Sequence, residues 1–278
     1  MERKILKNYI QNNKILFSVY LVIRNYIIRF FNIKVSKLSR EEKLTLKVLK
    51  RDGIVTIPNY FTSDQCNTMR NAFDKFVGNH SIYVPKENEY RIFGIERLSK
   101  EVDNIFSIDS FSRRICEAYL GEKMNLSATM SAKIVQKDGV VFGSGGSWHR
   151  DSFSREIKSI SYLTDMTDDN GPFMYIKGSH KIFNIIKVLF KLKINTKGRY
   201  SSSDIQNITN ILKKEVSYFP CTKGTLILAD IRGLHTTKQV KKGFAYSIFN
   251  YYISKFDDNK FSNTTNLANK CISGNVNN

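Results

Sequence analysis

The sequence has no closely spaced cysteine pair and no apolar run long enough to cross a bilayer. Its four cysteines, Cys66, Cys116, Cys221 and Cys271, show no CxxC or other zinc spacing. A chain of 278 residues builds its own core without a disulfide framework, so we expect reduced thiols and a cytoplasmic location. The longest N-terminal apolar stretch, residues 15 to 23, is far shorter than the ~20 apolar residues of a membrane span, and no signal-peptide cleavage site follows it.

Acidic residues are also scarce. Asp and Glu number 25 against 44 Lys and Arg, which gives a formal net charge of +19 and a pI near 9.7. Such a surplus favours anionic partners, among them membrane surfaces and phosphorylated or carboxylated small molecules. The alternative is that lysine simply occupies solvated faces, because net charge bears on association and not on fold. Specific binding of nucleic acid is not expected.

Residues 1 to 38 differ from the rest of the chain and predict a basic amphipathic helical segment. Eight basic residues lie between positions 1 and 37, against a single acid, Glu2. Two interpretations remain open: peripheral docking of residues 1 to 37 on an anionic membrane surface, or a helix packed on the domain with its lysines in solvent. The apolar residues with helical spacing are Ile23, Tyr26, Ile27, Phe30 and Phe31.

Residues 39 to 256 predict one domain dominated by short strands. A capping box, Ser39 with Glu42, opens a helix before the first strand. The many short strands, separated by turns, indicate an antiparallel barrel or sandwich. Residues 181 to 217 interrupt them as a basic helical insert that we expect to act as a lid, and the polar residues 257 to 278 are expected to be disordered. Strands are predicted at residues 54–57, 126–136, 140–142, 157–163, 174–176, 225–228 and 245–253.

Two of the four histidines stand in informative contexts. Side chains alternate along an extended chain, so His149 and Asp151 would share one face, with Trp148 and Arg150 on the other. An imidazole and a carboxylate need one more imidazole to form the facial triad of non-haem Fe(II) oxygenases, which leaves three metal positions open. The candidate is His235, which follows a glycine turn and an apolar strand. The alternative for an isolated H-x-D motif is a solvent-facing pair.

The order of these motifs resembles that of the phytanoyl-CoA dioxygenase family. The H-x-D motif is followed by an Asn-Gly-Pro at residues 170–172, a Gly-Ser-His at 178–180 and a distal histidine, His235. The segment DGIVTIPN at residues 52–59 resembles the first strand of the family, and the likeness spans about residues 45 to 255. The resemblance implies a mainly β fold with flanking helices, a double-stranded β-helix of the cupin-like jelly-roll type. It also implies Fe(II) held by His149, Asp151 and His235, with 2-oxoglutarate and O2 as co-substrates.

The same resemblance assigns roles to further positions. His180, in the Gly-Ser-His segment, is expected to be structural, and His80, without a partner nearby, is expected in a surface loop. The carboxylate of Asp151 favours hydroxylation, because related halogenases carry a small residue there.

One position departs from the family. An arginine past the distal histidine normally binds the far carboxylate of 2-oxoglutarate, and Ala245 stands at that position. Lys242 (or Lys241) in a shifted register, Lys133 on the preceding strand and the hydroxyl of Thr237 are the candidates to bind this carboxylate instead. Alternatively, these lysines lie on the solvated surface and bind no ligand.

The combined prediction is an Fe(II)/2-oxoglutarate-dependent dioxygenase that hydroxylates a C–H bond. Its substrate is expected to be anionic: a small molecule, a glycan or a carrier-linked group. A hypothesis from a different class is a catalytically degenerate barrel that binds a ligand or a membrane, because the arginine is missing. The basic residues of the insert that favour an anionic substrate are Lys187, Lys191, Lys193, Lys197 and Arg199.

Overall fold

The computed structural model describes residues 13–30, 37–77, 83–86, 88–123, 125–137, 146–153, 155–192, 198–253 and 258–274. The predicted strand at 140–142 and the predicted surface residue His80 lie outside these ranges. The chain starts with helices and one strand: α1 (Lys14–Phe30), α2 (Arg40–Asp52), β1 (Ile54–Ile57) and α3 (Ser63–Val77). Helix α2 begins at the predicted capping box, in which the Ser39 hydroxyl accepts from the Glu42 N–H and the Glu42 carboxylate accepts from the Ser39 N–H.

Short elements follow up to the main body of strands. They are β2 (Tyr83–Lys86), β3 (Glu89–Phe93), α4 (Ile95–Leu98), α5 (Lys100–Val102), a π-helical turn (Asp103–Ser107) and α6 (Ser110–Leu120). The main body contains β4 (Asn125–Val135), β5 (Glu156–Tyr162), β6 (Phe173–Ile176), α7 (Ile182–Lys191), α8 (Ser202–Leu212), β7 (Val216–Phe219), β8 (Leu226–Asp230), β9 (His235–Thr237) and β10 (Phe244–Ile253). Helix α9 (Asp258–Ser273) ends the described chain.

The strands form two antiparallel sheets that pack face to face. The large sheet has the order β1-β8-β5-β10-β4-β3-β2, and the small sheet has the order β7-β6-β9. Phe173 and Tyr175 of the small sheet share a buried cluster with Ile160 and Tyr162 of the large sheet, so the two inner faces form one core. This is the predicted fold class, a strand-rich antiparallel core with flanking helices.

The outer face of the large sheet is covered by helices. Leu49 of α2, Phe73 of α3 and Leu120 of α6 are buried in one cluster with Leu228 and Ile248 of the sheet. The sheet is therefore apolar on both faces. Because helices cover its outer face, a cavity can form only at its inner face.

Cross-strand pairing fixes which side chains share the inner face. Ala132 pairs with both Arg91 and Ser247, and Ser247 pairs with Tyr162. Directly paired residues of antiparallel strands point to the same side. These four side chains therefore form one row across β3, β4, β10 and β5.

The predicted helical insert contains two helices, α7 and α8, and helix α1 packs on α7. Phe17 and Leu21 of α1 are buried with Ile185 and Leu189 of α7. The Lys14 ammonium donates to the carbonyl of Leu192 at 3.2 Å, at the end of α7. Among the residues that the structure describes, no helix has the length and hydropathy needed to cross a membrane.

The C-terminal segment differs from the predicted disordered tail, because residues 258 to 273 form a helix. Ala268 and Cys271 of α9 are fully buried, and they pack with Phe93, Met130 and Tyr251 of the large sheet. A polar composition concealed one narrow apolar stripe, which is all that a helix needs to pack on a sheet.

Candidate metal centre

The backbone brings His149, Asp151 and His235 to one place. The chain at His149 lies antiparallel beside β9: the N–H of His149 donates to the carbonyl of His235 at 3.0 Å, and the reverse bond measures 3.1 Å. The N–H of Asp151 donates to the carbonyl of Ile231 at 3.1 Å, in the turn between β8 and β9. The H-x-D segment thus extends the small sheet next to the strand that carries the second histidine.

The two residues that alternate with the motif point to the other side, as predicted. Trp148 packs against the cluster formed by α7, α8 and Tyr200. Arg150 is buried, and its guanidinium donates to the carbonyls of Ser179 and Arg232. Arg150 therefore ties the motif to the Gly-Ser-His segment and to the turn before His235.

The three candidate ligands converge on a space that fits a metal ion. Asp151 Oδ1 lies 3.1 Å from His149 Nε2 and 3.7 Å from His235 Nε2. All three ligand atoms lie within 4.8 Å of one another. Metal–ligand bonds of about 2.1 Å at right angles separate neighbouring ligand atoms by about 3 Å, so little adjustment is needed.

Hydrogen bonds fix the tautomer of both imidazoles. The Nδ1 of His149 lies 2.6 Å from the carbonyl of Ser147, and the Nδ1 of His235 lies 2.9 Å from the carbonyl of Gly233. A carbonyl only accepts, so each Nδ1 carries a proton, and Nε2 is the nitrogen of each ring that faces Asp151 and can bind a metal. Burial lowers the pKa of His235 to about 3, which keeps this imidazole neutral and able to bind a metal.

The second oxygen of Asp151 forms an ion pair with Lys158 of β5. Burial alone would raise the pKa of Asp151, but the Lys158 ammonium holds it well below its usual range. The Lys158 ammonium also lies 4.5 Å from the ring centre of Tyr251. One carboxylate oxygen thus faces the imidazoles and the other faces an ammonium, which favours a single Asp151 oxygen on a metal.

A buried ion pair shapes the turn that delivers His235. Arg232 donates to Asp230 at 2.6 Å, and both side chains are buried. Burial would raise the pKa of Asp230, but the Arg232 guanidinium offsets this and the pKa falls to about 2. The hydroxyl of Tyr119 donates to the same carboxylate at 2.6 Å. The turn between β8 and β9 is therefore held by charge-assisted bonds from two directions.

The triad opens into a cavity of about 1120 Å³, including its mouth. Its polar lining includes Thr237 and Ser247. Arg199 at the rim is exposed and donates to the hydroxyl of Ser147 at 2.5 Å. Arg91 is half-buried and donates to the carboxylate of Glu89 at 2.7 Å. The charged side chains of the lining are Glu89, Arg91, Asp151, Lys158 and Arg199.

Only one of the three candidates for the distal carboxylate lies at this cavity. Thr237 lines it, whereas Lys133 and Lys242 do not. Lys133 alternates with the inward residues of β4, so it points outwards and lies 3.8 Å from Asp74. Lys242 is exposed in the loop before β10.

Arg91 is a cation of the cavity lining that was not among the predicted site residues. It lies on β3, a strand that no sequence pattern marked. Lys158 carried a weak signal, because it is the one basic residue of the strand predicted at residues 157–163 and lies seven residues after Asp151.

A second cavity, of about 490 Å³ including space open to solvent, lies beside Ala245, where the resemblance to the family would place an arginine. Five lining residues are shared with the cavity of the triad: Ile134, Tyr162, Thr237, Ser247 and Phe249. The small Ala245 side chain is buried in the wall between β4 and β10. Position 245 therefore carries a small side chain beside an open space, and not another bulky side chain.

His180 lies apart from the triad. It is buried, its Nε2 lies 3.3 Å from the carbonyl of Lys50, and Gly53 lies against its ring. A Cβ at Gly53 would come within 2.3 Å of the His180 Nδ1, so the glycine makes room for the histidine. This environment agrees with the structural role expected of His180.

Comparison with known proteins gives one family. A model described as phytanoyl-CoA dioxygenase matches residues 49–243, which is most of the chain. No curated protein matches significantly.

Several solved structures share the fold. The epimerase SnoN, in complex with Fe3+, alpha ketoglutarate and nogalamycin RO, is 11% identical over 77% of this chain and 84% of its own, with a TM-score of 0.61. EctD from S. alaskensis, with 2-oxoglutarate and 5-hydroxyectoine, is 18% identical over 78% and 76%, with a TM-score of 0.58. HygX from Streptomyces hygroscopicus, with nickel, 2-oxoglutarate and hygromycin B, is 16% identical over 78% and 88%, with a TM-score of 0.55. With the jelly roll, the family match and a His-Asp-His cluster in place, the chain belongs to the phytanoyl-CoA dioxygenase family of iron- and 2-oxoglutarate-dependent enzymes.

Proposed function

We propose that this enzyme hydroxylates a C–H bond of an anionic substrate, with His149, Asp151 and His235 as the ligands of Fe(II). One observation carries the proposal: two imidazole nitrogens and one carboxylate oxygen converge within 4.8 Å at the wall of a cavity. When bound, the iron supplies the redox chemistry by which O2 turns C–H into C–OH while 2-oxoglutarate becomes succinate and CO2. The retained carboxylate of Asp151 supports hydroxylation, because it fills the metal position that a halide would need.

We propose that Arg91 anchors the distal carboxylate of 2-oxoglutarate with the hydroxyls of Thr237 and Ser247. Arg91 and Ser247 both pair with Ala132, and the small alanine leaves room for the guanidinium to extend across β4. A guanidinium and hydroxyl donors suit a carboxylate. This arrangement dispenses with the family arginine at the position of Ala245.

An anionic substrate is supported by the charges around the cavity. Lys158 lies beside the triad and Arg199 lies at the rim. Together with Arg91, three cations face two acids, and Fe(II) adds two further positive charges. A dianionic keto acid and an anionic substrate together suit this excess. The proposal includes small molecules, acidic glycans and carrier-linked groups.

Anaerobic titration with Fe(II) and 2-oxoglutarate tests the metal and co-substrate assignments together. The wild-type protein should develop the weak visible charge-transfer band, and Asp151→Asn should bind Fe(II) more weakly. Arg91→Met combined with Glu89→Gln, which avoids a buried unpaired carboxylate, should bind 2-oxoglutarate about tenfold or more weakly. Lys133→Met is the matched control and should leave this affinity unchanged. Absence of the band at saturating keto acid would overturn the proposal, and equal losses for the Arg91 and Lys133 variants would reject the anchor.

A catalytically degenerate barrel is the second candidate, and Ala245 is the observation that favours it. The two candidates differ in turnover: an enzyme releases succinate from 2-oxoglutarate in the presence of Fe(II) and O2, and a degenerate barrel does not.

We also propose that residues 1 to 37 contact an anionic membrane surface, so that a cytoplasmic enzyme works at the membrane periphery. The eight basic residues of this segment support the contact.

A further inference from the structure

Helix α1 has an apolar face that is exposed in the part of the chain that the structure describes. Phe17 and Leu21 are buried on α7, but the opposite side carries only apolar side chains between positions 15 and 23. A helix on a soluble domain normally turns polar residues to solvent, so an apolar stripe on that side indicates a contact surface. The exposed fractions are 64% for Ile15, 40% for Leu16, 49% for Val19, 39% for Tyr20 and 50% for Ile23.

Helix α7, which supports α1, exposes two phenylalanines of its own. Phe183 is 73% exposed and Phe190 is 51% exposed. Helical spacing puts both on the same face as Lys187 and Lys191, which are also exposed. An exposed face of aromatic rings interleaved with lysines is the pattern of helices that lie in a membrane interface.

We propose that helices α1 and α7 together form one docking surface for an anionic phospholipid bilayer. The phenylalanines and aliphatic side chains would enter the boundary between headgroups and acyl chains, and the lysines would pair with lipid phosphates. The inference deepens the proposed membrane contact of residues 1 to 37, on which it rests, because it adds a second helix from the insert. It does not depend on iron or 2-oxoglutarate.

Charge favours a bilayer over a second copy of the chain. Neither α1 nor α7 contains an acidic residue, and the chain carries a net charge of +19. Two copies would bring like charges together, whereas an anionic surface attracts each lysine. The exposed apolar side chains lie on two helices, and a fluid bilayer accepts such side chains without shape complementarity.

Co-sedimentation of the full chain with phosphatidylcholine vesicles, with and without phosphatidylglycerol, tests the surface. We expect binding to anionic vesicles that weakens with salt. Phe183→Ser with Phe190→Ser, and separately Val19→Ser with Ile23→Ser, should each weaken binding about tenfold or more, because each pair removes apolar area that enters the lipid. Leu44→Ser with Ile108→Ser, which are 58% and 60% exposed on other elements, is the matched control and should bind as the wild type does.

The outcomes of these binding experiments distinguish the two-helix surface from the proposed membrane contact of residues 1 to 37 and from the proposed enzyme activity. Loss of binding only with the α1 variant would overturn the two-helix surface and leave the contact of residues 1 to 37 in place. No vesicle binding by the wild type would overturn both. A dimer in light scattering that these same substitutions dissolve would assign the face to a second copy and overturn the inference. Fe(II) and 2-oxoglutarate titrations of the variants report separately on the enzyme.

Discussion

At the scale of single residues, Ala245 is the position that bears most on 2-oxoglutarate binding, because an arginine was expected there. The family arginine binds a carboxylate with two parallel hydrogen bonds from one side chain. Here the cation comes from another strand, in our proposal from Arg91, and a cavity of about 490 Å³ remains beside Ala245. The Arg91 guanidinium also donates to the Glu89 carboxylate, so part of its positive charge is already neutralised.

Restoring the arginine should therefore strengthen binding. We expect Ala245→Arg to lower the dissociation constant for 2-oxoglutarate about tenfold, because a charge-assisted bidentate pair is worth more than about 1.4 kcal/mol in a buried site. The adjoining cavity leaves space for the longer side chain. Calorimetric titration of the Fe(II) protein under anaerobic conditions measures the change. Ala245→Met, of comparable length without charge, is the control, and equal affinities for the two variants would reject the argument.

His180 should make the stability of the protein depend on pH. Burial lowers its pKa to about 4, and the Arg232 guanidinium adds to this while Asp230 acts against it. The folded pKa lies below the unfolded value of about 6.5, so protonation favours the unfolded chain. The stabilising contribution is complete above about pH 6.5 and is lost as the pH falls towards 4, by at most ~1.4 kcal/mol per pH unit.

Urea unfolding of the iron-free protein between about pH 7 and pH 4 checks this slope. The variant His180→Asn keeps a nitrogen near the carbonyl of Lys50 but does not titrate in this range. Its free energy of unfolding should fall less steeply with acid than that of the wild type. Parallel curves would show that His180 is not the titrating group.

At the scale of elements, the turn between β8 and β9 carries most of the site. The carbonyl of Gly233 accepts the Nδ1 proton of His235, and the carbonyl of Ile231 accepts from Asp151. The Tyr175 hydroxyl donates to the carbonyl of Asp230 at 2.8 Å and thereby approaches Gly233 closely. One turn therefore sets the position of two of the three ligands.

Gly233→Ala should damage both stability and metal binding. A Cβ there would lie 1.7 Å from the Tyr175 hydroxyl, and Tyr175 is fully buried. We expect a loss of about 3 kcal/mol in the free energy of unfolding, because neither the ring nor the turn has room to move. The affinity for Fe(II) should fall as well, since the turn orients His235. Thermal unfolding and Fe(II) titration measure the two effects.

Gly243→Ala supplies the comparison for that substitution. No atom lies within 4 Å of a Cβ at Gly243, although its φ of +72° makes alanine strained. It should cost about 1 kcal/mol and leave Fe(II) binding intact. A Gly233 variant that behaves like the Gly243 variant would contradict the packing argument.

The elements also show what the sequence could and could not predict. Alternation in one strand was enough to put His149 and Asp151 on one side, and the apolar runs marked β5, β8 and β10. Helix α9 was missed because, among the side chains of this polar segment that the structure describes, only Ala268 and Cys271 are fully buried, and Arg91 was missed because β3 is short and mixed in composition. Contacts between distant segments, such as the pairing of His149 with His235, depend on register and leave no local pattern.

At the scale of the whole molecule, the two sheets differ in extent. The large sheet has seven strands and the small sheet three, so part of the inner face of β3 and β4 extends beyond the small sheet. Helix α9 packs there, against Phe93, Met130 and Tyr251. Met130 and Tyr251 also line the cavity of the triad, and Tyr251 lies under the Lys158 ammonium. The C-terminal helix thus packs on the same face of the sheet as the cavity and supports two side chains of its lining.

The variant Ala268→Glu distinguishes a packed helix α9 from a disordered tail. It should destabilise the protein if α9 packs on the sheet and should have little effect if the tail is disordered. A carboxylate in a fully buried position of α9 should cost several kcal/mol or detach the helix, because a buried charge without a partner is strongly unfavourable. Detachment would remove the packing partner of Met130 and Tyr251, so 2-oxoglutarate binding should weaken together with thermal stability. Asn266→Glu, exposed on the same helix, adds the same charge and should change neither. If the two variants unfold at the same temperature, α9 does not hold the wall, and the cavity is closed by the sheets alone.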